Sequence, residues 1–237
     1  MSDQDAAKRA AAEAALTHVK DGMRLGLGTG STAAHFVRAL GETAKAEGWE
    51  LRCAPTSEAT RALAVEVGLA LLDFDETAQL DLTVDGADEA DLSLNLLKGG
   101  GGALLREKII AASSHRMIVI ADETKCVAQL GGFPLPVEVS PFAWQLTVGK
   151  LRGLFREFEL GDVPVRLRAK PGGGPQLSDG GAYLFDCALE RIPDPAGLAA
   201  ALNQIPGVIE NGLFVGIADT LIVGGENGVR TVEAPAR

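Results

Sequence analysis

The sequence predicts an α/β fold built on a mostly parallel sheet, with a smaller α+β lobe inserted near the C-terminus. Three observations lead to this prediction. Short apolar strands alternate with helical patterns up to residue 122, prolines and glycines interrupt this rhythm near 131–144, and apolar strands return after residue 207. Alternation of strands and helices is typical of parallel sheets with helices on their faces, because a parallel crossover needs a connection of about a dozen residues.

The predicted elements of the first part follow one another along the chain. After an Ala-rich helix come strands at 23–28, 51–57, 69–74, 80–86 and 116–122, with helices at 32–48, 58–67 and 102–114 between them. The strands are short and apolar, and the helices carry apolar residues at a spacing of three to four. Sheets of this kind bind their ligands at the carboxyl ends of the strands.

The second part begins where prolines and glycines crowd 131–144. Beyond this boundary the sequence predicts a helix at 145–157, a strand at 163–169, turns over 170–181, a strand at 182–190 and a helix at 195–203. The apolar stretches within 207–225 are expected to pair back into the first sheet, which makes the second lobe an insertion. We therefore assign residues 1–130 and 205–237 to the first domain and residues 131–204 to the small α+β lobe.

Composition narrows the class of protein. A chain of 237 residues with 46% hydrophobic side chains can form one large or two small domains with a buried core. The formal net charge of −10 argues against nucleic-acid and membrane-surface partners, which need clustered Lys and Arg. Three cysteines without a C-x-x-C pair suit reduced thiols, and the charged N-terminus is unlike a secretory signal, so we expect a cytoplasmic protein.

The stretch LGLGTGSTAAHFV (25–37) places three glycines and three hydroxyl side chains at the start of a helix. The first amide N–H groups of a helix lack intrahelical partners and carry partial positive charge, which is typical of an anion site. A dinucleotide site is weakly supported, because Ser31 replaces the third fingerprint glycine, and the Lys of a Walker A loop is missing. Backbone amides with Thr29, Ser31 and Thr32 suit one terminal phosphate. Alternatively, Ser31 or Thr32 only caps the helix.

The stretch DLTVDGADEAD (81–91) places acidic side chains at the end of a predicted strand. Asp85 falls at the carboxyl end of that strand, on the edge where ligands bind. A calcium-binding loop is one alternative, but Leu92 stands where such a loop needs a bidentate Glu, and a solvated Asp-Gly turn is another. Asp85 and Asp88 could instead converge on sugar hydroxyls, which need hydrogen-bond acceptors and proton shuttles.

The stretch LKGGGGALLREKII (97–110) opens a further helix with four glycines. So many glycines are costly in chain entropy, which favours close approach of a ligand to the backbone over a purely structural turn. Lys98 offers a positive charge to a phosphate or a developing oxyanion, and Glu107 lies just inside the helix. The alternatives are a surface position for Lys98 and, for Glu107, a first-turn carboxylate that pairs with Arg106 or Lys108.

The remaining chemistry-bearing residues give weaker indications. His18, His35 and His115 have no spacing that would gather them as metal ligands. Lys125 follows the predicted strand 116–122, so it falls at a carboxyl strand end and could close the same ligand site. A plain surface lysine is an equally good interpretation of Lys125 from its position alone.

Taken in order, six motifs resemble the ribose-5-phosphate isomerases of type A. They are GLGTGSTAAHF, TSEATRALA, VDGADEAD, LKGGGGALLREKII, ADETK and FPLPVEV. The resemblance is collinear over roughly residues 5–140 and resumes in IPGVIENGLF and ADTLIVG, whereas 141–204 matches only loosely. It implies a Rossmann-like sheet, a homodimer or homotetramer, and neither a metal nor an organic cofactor.

The resemblance also implies which residues form the site. The implied sugar-phosphate loops are Thr29, Gly30, Ser31 and Thr32, then Asp85, Gly86, Ala87 and Asp88, then Lys98, Gly99, Gly100 and Gly101, with Lys125 beyond them. The catalytic base is implied at Glu107.

The expected reaction is the interconversion of D-ribose 5-phosphate and D-ribulose 5-phosphate through an enediolate. Glu107 is expected to move the proton between C2 and C1, Lys98 to stabilise the oxygen charge, and Asp85 and Asp88 to handle hydroxyl protons. A non-catalytic sugar-phosphate sensor is the main alternative, although the three retained carboxylates speak against it. A related-fold amino-sugar-phosphate isomerase or CoA transferase is the other.

Overall fold

A computed structural model describes residues 3–74 and 79–234. The strands are β1 (Arg24–Leu27), β2 (Arg52–Pro55), β3 (Leu82–Asp85), β4 (Glu89–Ala90), β5 (Leu96–Leu97), β6 (Met117–Asp122), β7 (Leu135–Val139), β8 (Val165–Leu167), β9 (Tyr183–Cys187), β10 (Val208–Asn211), β11 (Leu213–Phe214), β12 (Thr220–Gly225) and β13 (Gly228–Glu233). The α-helices are α1 (Asp3–Ala15), α2 (Ser31–Glu47), α3 (Glu58–Glu66), α4 (Leu104–Ala112), α5 (Trp144–Glu157) and α6 (Pro195–Leu202).

The largest sheet has six strands in the order β13-β12-β6-β3-β1-β2. Its first five strands from the β2 side are parallel to their neighbours, and only the edge strand β13 runs antiparallel, against β12. The predicted mostly parallel sheet is therefore confirmed. Because the strands are parallel, the residues that follow β1, β2, β3 and β6 all leave the sheet at the same edge.

Helices cover both faces of this sheet. Leu25 and Leu27 of β1 pack into a core with Phe36 of α2 and with residues of α1. The intervening Gly26 faces the other way, where an added Cβ would lie 2.6 Å from Ile110 Cγ2 of α4. Alternate residues of one strand therefore pack against different helices, as expected for a strand that is buried on both sides.

The other two sheets are antiparallel. A four-stranded sheet has the order β10-β7-β9-β8, and a three-stranded sheet has the order β11-β5-β4. Phe185 of β9 packs with Leu151 and Phe155 of α5 and with Leu198 of α6 in one apolar core. These elements form the α+β part of the fold.

The chain divides into two compact units whose bounds differ from the predicted domains. The first unit comprises Met1–Ala87, Arg106–Cys126 and Gly216–Arg237, and the second comprises Asp88–Leu105 and Val127–Val215. Three stretches that the sequence had assigned to the first domain, 88–105, 127–130 and 205–215, lie in the second unit. The reason is strand pairing, since β5 pairs with β4 and β11, and β10 pairs with β7.

Three predicted elements need correction. The strand expected at 69–74 is wrong, because only Leu71 forms a single parallel bridge, with Cys53. The expected boundary at 131–144 contains β7, an inner strand of the four-stranded sheet. Of the tail 207–225, only β12 joins the six-stranded sheet, where the unpredicted β13 follows it.

None of the helices in 3–74 and 79–234 is long and apolar enough to cross a membrane.

Candidate active site

The first glycine loop, Gly28–Thr32, connects β1 to α2. Gly30 precedes the first helical residue and has φ +108°, a backbone conformation that favours glycine. Within the described part of the chain, no side chain accepts a hydrogen bond from the first amides of α2. The alternative in which Ser31 or Thr32 caps the helix is therefore wrong, and the helix N-terminus keeps the character of an anion site.

Thr29 lies in a cluster of hydroxyl groups that the sequence did not reveal as part of the site. Its Oγ1 is 2.7 Å from Thr56 Oγ1, 2.8 Å from Ser57 Oγ and 3.1 Å from Thr60 Oγ1. Thr60 Oγ1 in turn donates a hydrogen bond to the Gly28 carbonyl at 2.9 Å. The available signal was the position of Thr56 and Ser57, which directly follow β2 at the carboxyl edge of the sheet.

A lysine of α1 reaches the same loop. Lys8 Nζ donates to Ser31 Oγ at 3.1 Å, on the surface of the first unit. His35 of α2 is 3.0 Å from Asp5 of α1, which ties the two helices together beside this contact. Lys8 could not be recognised from the sequence, because nothing in its Ala-rich surroundings distinguishes it from a solvated helix lysine.

Asp85 joins the end of β3 to the first glycine loop. The carboxylate is fully buried, and its Oδ1 accepts from the amides of Thr29 at 3.0 Å and Gly86 at 2.7 Å. A Cβ on Gly28 would lie 2.1 Å from this oxygen, so only glycine permits the close approach. The calcium-loop and solvated-turn alternatives are both wrong for Asp85, because it ends a strand and is buried.

Glu107 lies in the first turn of α4 and is only 4% exposed. Just beyond the end of α4, Ser114 Oγ lies 2.6 Å from Thr83 Oγ1 of β3. The first-turn position agrees with the alternative of a carboxylate favoured by the helix dipole, and the catalytic role of Glu107 stays a prediction. Lys125 ends a single 3₁₀ turn after β6 and is half-buried, so its role stays a prediction.

The second glycine loop, Lys98–Gly102, connects β5 to α4. Lys98 is 2% exposed, which excludes the surface-lysine alternative. Its amide donates to the Gly212 carbonyl at 2.8 Å, and its Nζ lies 5.5 Å from the centroid of the Phe214 ring. A cation at this distance from an aromatic face is attracted by the ring quadrupole.

Asp88 is held by the second glycine loop. The Gly100 amide donates to Asp88 Oδ2 at 2.7 Å, and a Cβ on Gly100 would lie 2.6 Å from Asp88 Oδ1. Gly99 and Gly102 have φ +101° and φ +85°, so the turn itself requires glycine at both positions. Gly101 is exposed.

Arg168 is a further residue at this loop that the sequence did not reveal. Its Nη1 donates to the carbonyl oxygens of Gly99 at 3.0 Å and Gly100 at 3.1 Å. The rest of its guanidinium binds the Asp186 carboxylate through Nε and Nη2. Arg168 lies in the segment that resembles the family only loosely, so no motif pointed to it.

The predicted site residues fall into two sets. The first unit carries Thr29, Gly30, Ser31, Thr32, Asp85, Gly86, Ala87, Glu107 and Lys125, and the second carries Asp88, Lys98, Gly99, Gly100 and Gly101. Within the first set, hydrogen bonds join Asp85 to Thr29 and Gly86. Within the second, one joins Asp88 to Gly100. Among the described residues, His, Cys, Asp and Glu form no group of three that could hold a metal ion.

Comparison with known proteins gives a consistent family. The model of the family described as ribose 5-phosphate isomerase A (phosphoriboisomerase A) matches residues 52–228. Ribose-5-phosphate isomerase A of Rhodopseudomonas palustris (strain BisB18) is 54% identical, over 98% of this chain and 99% of that protein. The ribose 5-phosphate isomerase structure from Plasmodium falciparum superposes with a TM-score of 0.91 at 31% identity, over 98% and 100% of the two chains.

A second solved structure adds a ligand. A D-ribose-5-phosphate isomerase in complex with phospho-erythronic acid superposes with a TM-score of 0.90 at 40% identity, over 98% of this chain and 100% of that one. These similarities extend over nearly the whole length of each protein. The chain therefore belongs to the ribose-5-phosphate isomerase A family.

Proposed function

We propose that Glu107 is the base in the reaction of this family, the interconversion of D-ribose 5-phosphate and D-ribulose 5-phosphate. The observation that carries this proposal is a carboxylate only 4% exposed in the first turn of a helix that a glycine loop opens. An aldose–ketose conversion needs one base that takes a proton from C2 and returns it to C1. A carboxylate shielded from water suits this transfer, because the abstracted proton is not exchanged before it is returned.

Lys98 supports the assignment of an enediolate intermediate. Loss of the C2 proton places negative charge on the carbonyl oxygen, and a cation stabilises this charge most where water is excluded. Lys98 is such a cation, since it is 2% exposed. In this proposal Lys98 stabilises the oxygen charge while Glu107 holds the proton.

Asp85 and Asp88 are proposed to bind the sugar hydroxyls and to move their protons. Interconversion moves one hydroxyl proton between O1 and O2 in addition to the carbon-bound proton. Backbone amides fix Asp85 at Oδ1 and Asp88 at Oδ2. A carboxylate offers about four lone-pair positions, so each can accept from a sugar hydroxyl while an amide orients it.

The first glycine loop is proposed to bind the phosphate of the substrate. Support comes from the N-terminus of α2, the hydroxyls of Ser31 and Thr32, and the ammonium of Lys8 next to Ser31. Helix amides and a neighbouring cation together favour a doubly charged group. The relative that was solved with phospho-erythronic acid suggests that this phosphorylated acid is also a ligand of the present chain.

Glu107→Gln tests the catalytic assignment. The amide fills the same space but cannot accept a proton, so we expect nearly all turnover to be lost while phospho-erythronic acid still binds. Ribulose formation from ribose 5-phosphate is measured with excess chelator, because the proposed mechanism uses no metal. Activity within about tenfold of the parent, a barrier change of about 1.4 kcal/mol, would contradict the assignment. Glu47→Gln, at an exposed position of α2, is the matched control.

We also propose that the chain is a cytoplasmic homodimer or homotetramer without a cofactor. Phe142 and Leu146, near the start of α5, are 86% and 72% exposed, and apolar side chains of this size favour contact with another chain. Light scattering of the purified protein measures the oligomeric state. A panel of phosphosugars, including amino-sugar phosphates, separates the proposed substrate from those of the alternative isomerase.

A further inference from the structure

One guanidinium holds two successive carbonyl groups of the second glycine loop. Arg168 Nη1 lies 3.0 Å from the Gly99 oxygen and 3.1 Å from the Gly100 oxygen. The chain separation is 68 residues or more, so this is a tertiary contact and not part of the local turn. All of these residues lie in the second compact unit.

The loop needs such an external contact because it has few means to fix itself. Glycines have the largest conformational freedom of all residues, and four in succession carry no side chain that could pack. Inside the loop, the Gly102 amide donates to the Gly99 carbonyl at 2.9 Å. Hydrogen bonds from a charged donor are stronger than this neutral bond, so Arg168 is the main restraint on the two carbonyl groups.

The restraint reaches Asp88 through a planar peptide group. In a trans peptide the carbonyl and the N–H point in opposite directions, and the described residues contain no cis peptide. The carbonyl of the 99–100 peptide points to Arg168, and its N–H, on Gly100, points to Asp88 Oδ2 at 2.7 Å. By the same geometry, Arg168 directs the N–H of Gly101 to the side of the loop away from the guanidinium.

Arg168 is itself fixed in orientation. Asp186 of β9 binds it at two nitrogens, with Nε at 3.0 Å from Oδ2, and the Arg168 side chain is 12% exposed. Its backbone amide donates to the Leu184 carbonyl at 2.8 Å, which anchors the residue to β9. A bidentate pair of low exposure fixes the plane of the guanidinium, so its remaining donor points in a defined direction.

We propose that Arg168, oriented by Asp186, is a positioning residue for the sugar end of the site. It sets the two peptide groups so that the Gly100 amide holds the Asp88 carboxylate and the Gly101 amide is presented to a substrate oxygen. Arg168 does not touch the reacting atoms in this proposal. The inference rests on the proposed function, in which Asp88 and this loop bind the sugar hydroxyls.

Arg168→Ala with chemical rescue tests the inference. We expect kcat to fall by about 30-fold or more, with KM for ribose 5-phosphate changed by less than about threefold, because the phosphate is bound by the other loop. Ethylguanidinium at millimolar concentration raises the kcat of Arg168→Ala at least about fivefold, because it supplies the same planar donors. Ethylammonium has the same charge but lacks the planar set of N–H donors, so it does not raise kcat. Arg166→Ala is the matched control, since Arg166 is an exposed residue of β8.

Hydrogen exchange provides a readout besides activity. In Arg168→Ala the amides of residues 98–102 exchange at least about tenfold faster, whereas those of the six-stranded sheet are unchanged. A kcat within threefold of the parent overturns the inference, and so does unchanged exchange of the loop. Loss of kcat that ethylguanidinium and ethylammonium restore equally also overturns it, because charge alone would then explain the effect.

A second variant covers the case in which Arg168→Ala does not fold. Asp186→Asn keeps the shape and one acceptor but loses the charge that orients the guanidinium, so we expect a threefold to tenfold lower kcat with unchanged KM. An unchanged kcat in Asp186→Asn contradicts the inference. Glu107→Gln distinguishes failure of the proposed function from failure of the positioning role. If Glu107→Gln stays active, the proposed site is wrong. If Glu107→Gln is inactive and Arg168→Ala is fully active, only the positioning role of Arg168 is wrong.

Discussion

The two glycine loops of the chain are proposed to bind different ends of one substrate, and they are supported in different ways. The first loop, Gly28–Thr32, is supported by small hydroxyl side chains that converge on Thr29 from the turn after β2 and from α3. The second loop, Lys98–Gly102, is supported by a partly buried ion pair, Arg168 with Asp186 of the four-stranded sheet. Both loops lead into a helix, and the N-cap residue of the first helix, Gly30, is exposed and makes no side-chain capping hydrogen bond.

This difference follows from what each loop is proposed to bind. The phosphate group has three terminal oxygens that share its charge and does not react, so an open helix end and hydroxyl side chains suffice to anchor it. The sugar end must be placed against reacting groups, and small displacements there are costly in rate. A loop of four glycines can meet this requirement only if a rigid group elsewhere fixes its peptides. Substitutions that disturb one loop and leave the other intact test this comparison.

Among substitutions within the two glycine loops, Gly100→Ala is expected to have the largest effect on turnover. The new methyl group would lie 2.6 Å from Asp88 Oδ1 and 3.0 Å from its Cγ, so the carboxylate has to move. We expect kcat to fall by at least about a hundredfold, equivalent to about 2.7 kcal/mol, with a smaller change in KM. The fold should survive, because the displaced group is the end of a side chain and not backbone. Steady-state kinetics with ribose 5-phosphate gives both constants.

Gly149→Ala is the matched control for this substitution. Gly149 lies exposed within α5, and an added Cβ there meets no atom within 4 Å. The substitution should stabilise the protein by up to about 1 kcal/mol through helix propensity and leave kcat unchanged. If Gly100→Ala and Gly149→Ala have the same kinetics, the close packing of Asp88 on the loop has no catalytic role.

The two loops also differ from their supports in how well the sequence alone predicts them. Both loops were predicted, because glycine runs before helical periodicity are local signals, and β3 with its terminal Asp85 follows from alternating apolar residues. Strand β7 was missed, since Pro134 and Pro136 are typical of loops. Pro136 has no N–H to donate to the sheet, but its carbonyl accepts from the Gly212 amide at 2.8 Å.

The supports of the loops could not be predicted in the same way. Thr56 and Ser57 stood in a motif but were not connected to Thr29, because the register of β1 and β2 decides that contact. Arg168 gave no signal at all, since a contact across 68 residues leaves no periodic pattern. The compact units differ from the predicted domains for the same reason, because β5 and β11 pair although they flank the predicted insertion. Local patterns thus locate the loops, while long-range pairing decides what holds them.

The double substitution Ser31→Ala/Thr32→Ala should have the second largest effect. Each hydroxyl bond to a charged acceptor is worth roughly 1.5–3 kcal/mol, and the helix amides remain, so binding should weaken by a few kcal/mol at most. The loss should appear in kcat/KM for ribose 5-phosphate and not in kcat/KM for free ribose, which is already a very poor substrate. An equal loss for both sugars would mean that this loop only supports the fold.

Lys8→Met should have a smaller effect of the same kind. The Lys8–Ser31 contact is exposed at the surface, so water and salt screen the charge. We expect kcat/KM for ribose 5-phosphate to fall by about threefold to tenfold at low salt, with the parent and the variant converging as salt rises. Kinetics at about 0.02 and 0.5 M salt tests this. Lys45→Met is the control, at an exposed position near the other end of α2. A salt-independent difference would exclude an electrostatic role for Lys8.

Cysteine labelling should have the smallest effect on activity, and it reports separately on the support of each loop. Cys53 lies three residues before Thr56, and Cys187 is adjacent to Asp186. Both thiols are buried, and burial raises the pKa of Cys53 to about 12 and raises the pKa of Cys187 as well. At pH 8 roughly one Cys53 thiol in ten thousand is a thiolate, so reaction requires local opening.

With a small thiol reagent at pH 8, we expect the partly exposed Cys126 to react at least about tenfold faster than Cys53 and Cys187, with little loss of activity. Arg168→Ala should then accelerate labelling of Cys187 and leave Cys53 unchanged, because only the support of the second loop is loosened. Mass spectrometry of the labelled peptides gives the three rates. Equal acceleration of Cys53 and Cys187 would mean that the two supports open together, and the loops would then not be independent parts of the site.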